Sequence, residues 1–256
     1  PAAEPAGEPE IDLSADEALE AGRSAWESGD YARAARMLKV AVEGGAGGPY
    51  EGYLLGLALW KSGEPAEAEP YLVDASWKMP EFVRAPVNLA RVRIELGQLA
   101  EAEEAIDTAL AVDEGFGPAH NVRGRILLER GAVDEALEAF QRAAELDGDD
   151  PWPLNNAGYA LILRGEHAKA VEPLEQAISR SLSHAVIWNN LALAREGSGD
   201  LPGALEAAAR AAEIEGADET HQATYERLAA LTPADIEIPA DLEADASAEE
   251  IASAQP

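Results

Sequence analysis

The chain has 256 residues, a net charge of −30 from 19 basic and 49 acidic residues, and no cysteine. The missing cysteines exclude disulfides, thiolate metal sites and a cysteine nucleophile. The negative charge argues against nucleic-acid binding and against docking on anionic lipid, since both need clustered cations, and it favours basic or mixed-charge protein partners. No apolar run is long enough to span a membrane.

The two ends of the chain differ in composition from the rest. Residues 1–14 and 232–256 are rich in alanine, proline and acidic residues, which predicts disorder in both. The chain begins at Pro1, which we interpret as the loss of a leader, of an N-terminal lipid anchor or of upstream sequence. Within the tail, residues 235–243 combine acidic and spaced apolar side chains that suit ordering on binding.

Between these ends, one pattern returns every 34 residues without insertion or deletion. The six units are 15–48, 49–82, 83–116, 117–150, 151–184 and 185–218. Each unit is predicted to form two helices around a glycine at its position 15. These glycines are Gly29, Gly63, Gly97, Gly131, Gly165 and Gly199. Glycine suits this position because a left-handed residue that ends a helix costs least there.

Three further positions of each unit hold only small residues, which lets paired helices approach closely. Position 8 is Gly22, Gly56, Ala90, Gly124, Gly158 and Ala192. Position 20 is Ala34, Ala68, Ala102, Ala136, Ala170 and Ala204. Position 27 is Ala41, Ala75, Ala109, Ala143, Ala177 and Ala211. Bulky residues, such as Leu38, Leu72 and Leu174 at position 24, are expected to fill the remaining space.

These units resemble tetratricopeptide repeats, a family of 34-residue helix–turn–helix units. The resemblance covers 15–218 and implies an all-α fold, a right-handed superhelical solenoid of antiparallel helix pairs. A thirteenth helical segment, 219–231, is expected to cap the last apolar face, so the predicted solenoid spans 15–231. Proline is expected to bend the second helices that contain Pro70 and Pro173.

The charge is unevenly distributed within the units. The first halves sum to +2 and the second halves to −20. In tetratricopeptide arrays the first helices line a concave groove, so the resemblance implies a neutral-to-basic groove and an acidic back.

The groove is expected to bind an extended peptide or a helix of another protein. Asparagine amides can pair with both N–H and C=O of a peptide backbone, as in the asparagine ladders of some family members, and arginines add carboxylate recognition. The candidate peptide-binding residues are Tyr53, Trp60, Arg84, Asn88, Arg91, Asn121, Arg125, Trp152, Asn155, Asn156, Tyr159, Asn189 and Asn190.

Several of these side chains have an alternative structural role. The asparagines at positions 5 and 6 are also suited to bonding a neighbouring helix. Arg93, Arg123 and Arg195 are predicted to pair internally with carboxylates of second helices. Trp77 and Trp188 are predicted to lie in the core.

The sequence predicts no catalytic, cofactor-binding or metal-binding residues, and hence no enzyme. The four histidines occupy unrelated repeat positions without a metal-ligand spacing. The acidic run 147–150 lacks the alternating ligands of a calcium loop. No phosphate-binding glycine loop or nucleophile elbow is present.

We therefore predict a protein–protein interaction scaffold or adaptor that supports assembly of a multiprotein complex. The alternative is a structural subunit that self-assembles through its repeat ends or acidic C-terminal tail. The composition is typical of bacteria, and the repeat count is similar to that of lipoproteins that help to build pilus secretins. Localisation in the bacterial envelope, periplasmic or lipid-anchored, is slightly favoured over the cytoplasm.

Overall fold

A computed structural model describes residues 13–214 and 217–231. The described part contains thirteen helices. They are α1 (Ala15–Glu27), α2 (Tyr31–Glu43), α3 (Pro49–Lys61), α4 (Pro65–Lys78), α5 (Arg84–Glu95), α6 (Leu99–Val112), α7 (Gly117–Glu129), α8 (Val133–Leu146), α9 (Trp152–Leu163), α10 (His167–Arg180), α11 (Ala185–Ser198), α12 (Leu201–Glu213) and α13 (Glu219–Leu231). The segments predicted to be disordered lie outside the described residues, apart from Leu13 and Ser14. Ser14 caps α1, since its Oγ accepts a bond from the Glu17 N–H at 3.3 Å.

The helices come in the predicted pairs, two per 34-residue unit, with α13 after the sixth pair. The turn between the helices of each pair contains a glycine with φ between 74° and 90°. These six glycines are the position-15 residues predicted from the sequence, and their left-handed backbone explains why glycine stands there.

The small-residue positions are buried, as predicted. The alanines at positions 20 and 27 are at most 1% exposed in all six repeats. A Cβ added at Gly158 would lie 2.5 Å from Leu174 Cγ, and one at Gly56 would lie 2.8 Å from Leu72 Cγ. Position 8 must therefore be small because position 24 of the same repeat packs directly against it.

The chain divides into two compact units, one ending at Ile126 and the other beginning at Leu127. In the first unit, Leu38, Leu72 and Ile106 belong to one continuous apolar core. In the second unit, Phe140 lies in a small cluster with Ala136 and Ala160. The second unit also has a larger cluster, which runs from α10 to α13 and includes Leu174, Leu191, Leu205 and Leu228.

The two tryptophans that we predicted to be core differ from each other. Trp188 is partly buried against the larger cluster of the second unit. The prediction for Trp77 is wrong, because its side chain is 84% exposed. The inward face of α4 is formed by Ala68, Leu72 and Ala75. Trp77 follows Ala75 by two residues, about 200° around the helix, and so points outward.

None of the helices in the described part of the chain is long and apolar enough to cross a membrane.

Candidate functional site

In the first compact unit, the first helices of the second and third repeats present an aromatic cluster. Tyr50 and Tyr53 lie on α3, and their ring centroids are 5.8 Å apart. Phe82 packs edge-on against both, at 6.0 Å from Tyr50 and 5.0 Å from Tyr53. Tyr53 is buried, whereas Tyr50 is 49% exposed. The cluster therefore offers an accessible aromatic surface on a fixed base.

Polar side chains of α5 border this cluster. Asn88 Nδ2 donates to Tyr53 Oη at 2.7 Å, and Arg91 Nη1 donates to Asn88 Oδ1 at 3.0 Å. Burial raises the pKa of Tyr53, while the bond from Asn88 and the charges of Arg84 and Arg91 partly oppose that shift. Arg91 is thus joined to Tyr53 through Asn88, and Arg84 lies at the start of the same helix. We call Tyr50, Tyr53, Phe82, Arg84, Asn88 and Arg91 the aromatic–arginine face.

Three arginines of the first helices form ion pairs with carboxylates of second helices. Arg93 Nε lies 2.9 Å from Glu69 Oε1 on α4, and Arg195 Nη2 lies 2.9 Å from Glu175 Oε1 on α10. Arg123 pairs with Asp107 on α6. The internal ion pairing that we predicted for these three arginines is confirmed.

Arg84 and Arg125 behave differently. Arg84 is exposed at the start of α5, and Arg125 is half-buried on α7. Neither forms an ion pair with a carboxylate in residues 13–214 or 217–231. Among the arginines of the first helices, these two lack a carboxylate partner within the described residues, in a chain of net charge −30.

In the second compact unit, the corresponding helices α9 and α11 carry amides and exposed aromatics. Asn190 Nδ2 donates to Asn155 Oδ1 at 2.9 Å, and Asn155 Nδ2 donates to Asn156 Oδ1 at 3.4 Å. The Trp152 and His184 rings pack at an interplanar angle of 44°, with their centroids 4.9 Å apart. Tyr159 is 42% exposed. We call Trp152, Asn155, Asn156, Tyr159, Asn189 and Asn190 the amide face.

One hydrogen bond recurs in both units. Asn88 and Asn190 occupy position 6 of their repeats, and each donates to the side chain at position 5 of the preceding repeat, Tyr53 or Asn155. These amides connect neighbouring first helices, which is the structural alternative considered above. Because these hydrogen bonds fix the amide side chains, the exposed side chains beside them are carried by an ordered part of the helix surface.

The remaining predicted residues are mostly shielded from solvent. Asn121 and Asn189 are buried, and Asn189 Oδ1 accepts no hydrogen bond from the described residues. Trp60 is half-buried against the core of the first unit. The structure therefore leaves Arg84, Trp152 and Tyr159 as the exposed members of the predicted set, with Arg91, Arg125 and Asn156 half-buried.

Sequence reasoning missed two aromatic side chains of these faces, Phe82 and His184. Both occupy position 34, and each packs on the ring at position 2 of its own repeat, Tyr50 or Trp152. The signal was present in the sequence: these are the two repeats in which positions 2 and 34 both carry a ring.

The arrangement of small residues, turn glycines and stacked helix pairs defines an all-α repeat protein. The tetratricopeptide repeat family profile matches residues 19–80, 87–151 and 155–220. The chain belongs to the tetratricopeptide repeat family. Repeats of this family mediate protein–protein interaction and the assembly of complexes, and their proteins are typically non-enzymatic scaffolds.

Solved structures share the fold. A tetratricopeptide repeat protein from Parabacteroides merdae is 17% identical, with a TM-score of 0.71 over 87% of each chain. PilF from Pseudomonas aeruginosa is 21% identical, with a TM-score of 0.62 over 72% of this chain and 83% of its own. The Cut9–Hcn1 complex of APC/C also contains a similar chain, with 17% identity and a TM-score of 0.71 over 84% of this chain. This chain spans only 43% of that one. No curated protein matches the sequence.

Proposed function

We propose that the protein is a non-enzymatic adaptor that binds a peptide segment or helix of a partner protein on its first helices. In the first compact unit, the partner segment that meets the aromatic–arginine face and Arg125 is acidic. Binding of this kind would support assembly of a multiprotein complex. Location in the bacterial envelope remains a prediction, because similarity to PilF at 21% identity concerns the fold.

The distribution of ion pairs supports this proposal most directly. Arg93, Arg123 and Arg195 are paired with carboxylates. Arg84 and Arg125, which also lie on first helices, have no carboxylate partner in the described residues, although acidic residues outnumber basic ones by 49 to 19. A guanidinium is best satisfied by a carboxylate held in two parallel hydrogen bonds. An acidic partner segment would supply that group.

The aromatic cluster adds a second contact for the partner. About half of the Tyr50 surface is exposed, and its ring packs against the rings of Tyr53 and Phe82. Aromatic and arginine side chains on a rigid support are the commonest strong contributors to protein interfaces. The partner segment is therefore expected to place an apolar or aromatic side chain next to its acidic residues.

Charge reversal at Arg84 and Arg125 tests the proposal. Peptides selected for binding to the wild-type protein from a random display library should be enriched in acidic residues. Their affinity, measured by fluorescence anisotropy, should fall at least about tenfold in Arg84→Glu/Arg125→Glu, since each charge-assisted bond contributes about 1.5–3 kcal/mol. Circular dichroism should show unchanged helicity.

Arg33→Glu/Arg36→Glu is the matched control. Both residues are exposed on α2, a second helix, and the double substitution changes the net charge equally. Its peptide affinity should stay within about twofold of wild type at physiological salt, where charges beyond about 8 Å are screened. Equal losses in the two double variants would show that net charge, and not this face, governs binding, and would contradict the proposal.

A further inference from the structure

A cavity of about 560 Å³ lies in the first compact unit, outside both faces described above. Its walls come from the glycine-rich connection between α2 and α3, from Pro49 and Gly52 on α3, and from Pro70 and Tyr71 on α4. This volume is in the range of sites that hold small ligands or inserted side chains.

The cavity exists because a side chain is missing at Gly52. Gly52 is position 4 of its repeat, and a Cβ built there would meet nothing within 4 Å. Position 4 of the sixth repeat is Trp188, which packs against the core cluster of the second unit that contains Ile178. Val42, which occupies the same repeat position as Ile178 four repeats earlier, lines the cavity. The empty space is therefore the place that an indole fills elsewhere in the same chain.

Trp188 also shows how an indole would bind there. Its Nε1 donates to the carbonyl oxygen of Leu182, in the connection that precedes α11, at 3.0 Å. The equivalent residue before α3 is Ala46, which lines the cavity. The cavity thus combines apolar walls with a backbone carbonyl at the position that accepts an indole N–H in the sixth repeat.

An unburied indole lies next to this cavity. Trp77 is the most exposed large apolar side chain in the described residues, at 84%. It follows Pro70 by seven residues, almost two turns, and so lies on the same side of α4 as the cavity wall. Asp74 and Lys78 flank it at the cavity rim and form an ion pair, with Lys78 Nζ 2.9 Å from Asp74 Oδ2. The two charges cancel, so the rim is locally neutral.

We propose that this cavity binds the Trp77 indole of a second copy of the chain. The exposed Trp77 side chain and the cavity lie on the same surface of the protein, which makes that surface self-complementary. Two copies related by a two-fold axis would therefore fill both cavities at once. The net charge of −30 opposes association. The dimer should therefore dissociate less as the salt concentration is raised, because the Debye screening length falls from about 10 Å at 0.1 M to about 3 Å at 1 M.

Sedimentation velocity with the full chain tests the proposal at about 1–100 μM, where weak interfaces assemble. Wild type and Gly52→Ala should dimerise, because alanine leaves the cavity open. Gly52→Trp, which fills the cavity from within, and Trp77→Ala should stay monomeric with unchanged helicity. Leu163→Ala, which truncates another exposed side chain (58%) in the other compact unit, is the control and should dimerise.

N-acetyltryptophanamide is a direct probe of the cavity. In Trp77→Ala it should shift the amide NMR signals of Gly45, Gly47 and Gly52, and no such saturable shift should occur in Gly52→Trp. A wild-type protein that stays monomeric at all concentrations, even at 1 M salt, would overturn the proposal. If the probe still bound to such a monomer, the cavity would be a binding site for an indole of another protein and not for a second copy. Dimerisation of Trp77→Ala equal to that of wild type would overturn it as well.

Discussion

At the scale of single residues, the glycines of this chain meet two different demands. The turn glycines need a left-handed backbone, as shown by their φ of 74–90°. Gly158 instead needs the absence of a side chain, because Leu174 Cγ would lie 2.5 Å from its Cβ. Gly52 meets neither demand, since its surroundings are open and its φ is not positive.

Alanine substitutions should separate these cases. Both Gly158 and Gly52 are helical, so alanine gains about 0.5–1 kcal/mol of helix propensity at each. At Gly158 the clash with Leu174 costs about 1–3 kcal/mol and should outweigh that gain. We therefore expect the urea midpoint to fall in Gly158→Ala and to rise slightly in Gly52→Ala. A shift of the same sign in both would show that the contact with Leu174 relaxes without cost.

The repeat positions were predictable because each is fixed by contacts within its own repeat or with the next. Position 8 faces a leucine at position 24 in the first, second and fifth repeats, and each of these three position-8 residues is glycine. Trp77 was misjudged because its position lies on the outward side of the second helix, where the repeat imposes no residue. The aromatic side chain of Trp77 favoured a place in the core. Its exposure is instead decided by its position on α4, about 200° around the helix from the buried Ala75.

At the scale of helices, Glu51 connects α1 with the start of α3. Its Oε1 accepts a bond from Arg23 on α1 at 2.5 Å, and its Oε2 accepts one from the Gly48 N–H at the start of α3 at 2.7 Å. Burial alone would raise the pKa of Glu51, but the bonds from Arg23 and Gly48 outweigh it and hold the pKa below its usual value. The ionised carboxylate thus stabilises the start of α3.

This arrangement predicts a pH-dependent contribution to stability. A group whose pKa is lowered by folding stabilises the protein above its unfolded pKa, about 4.3 for glutamate, and loses that contribution as the pH falls through the folded pKa. The difference in free energy of unfolding between wild type and Glu51→Gln should therefore be largest above about pH 5 and should shrink towards pH 3. Urea titrations across this range measure it, and a difference independent of pH would contradict the assignment.

The helix pairs were easier to predict than the candidate site. The pattern of 34 residues gave all the helix pairs, because local sterics repeat. The side chains of the faces depend on which neighbours they meet. Asn88 and Asn190 bond across first helices, and Phe82 and His184 reach back to rings of their own repeats. The two amide bonds join residues 35 apart in sequence, and the two ring contacts join residues 32 apart. These spacings predict a contact only when it is known which helices pack side by side.

At the scale of the whole molecule, a repeat array must cover the apolar face that its last repeat leaves open. In the second compact unit, α13 packs on α12 and α11. Leu228 is fully buried in the same cluster as Leu205 and Leu191. Arg227 Nη2 also bonds Glu196 Oε2 on α11 at 2.8 Å. We therefore propose that α13 caps the array, as its sequence predicted.

Two truncations test the cap. A chain that ends after Asp218 loses α13 and exposes the apolar residues that Leu228 covers, so its urea midpoint should fall and its tendency to aggregate should rise. A chain that ends after Leu231 keeps α13 and should retain the midpoint of the full chain. The first truncation should act mainly on the second compact unit, because repeat stability is a sum of units and nearest-neighbour contacts. Hydrogen exchange should then show faster exchange in α11 and α12, whereas unchanged exchange there would exclude a capping role for α13.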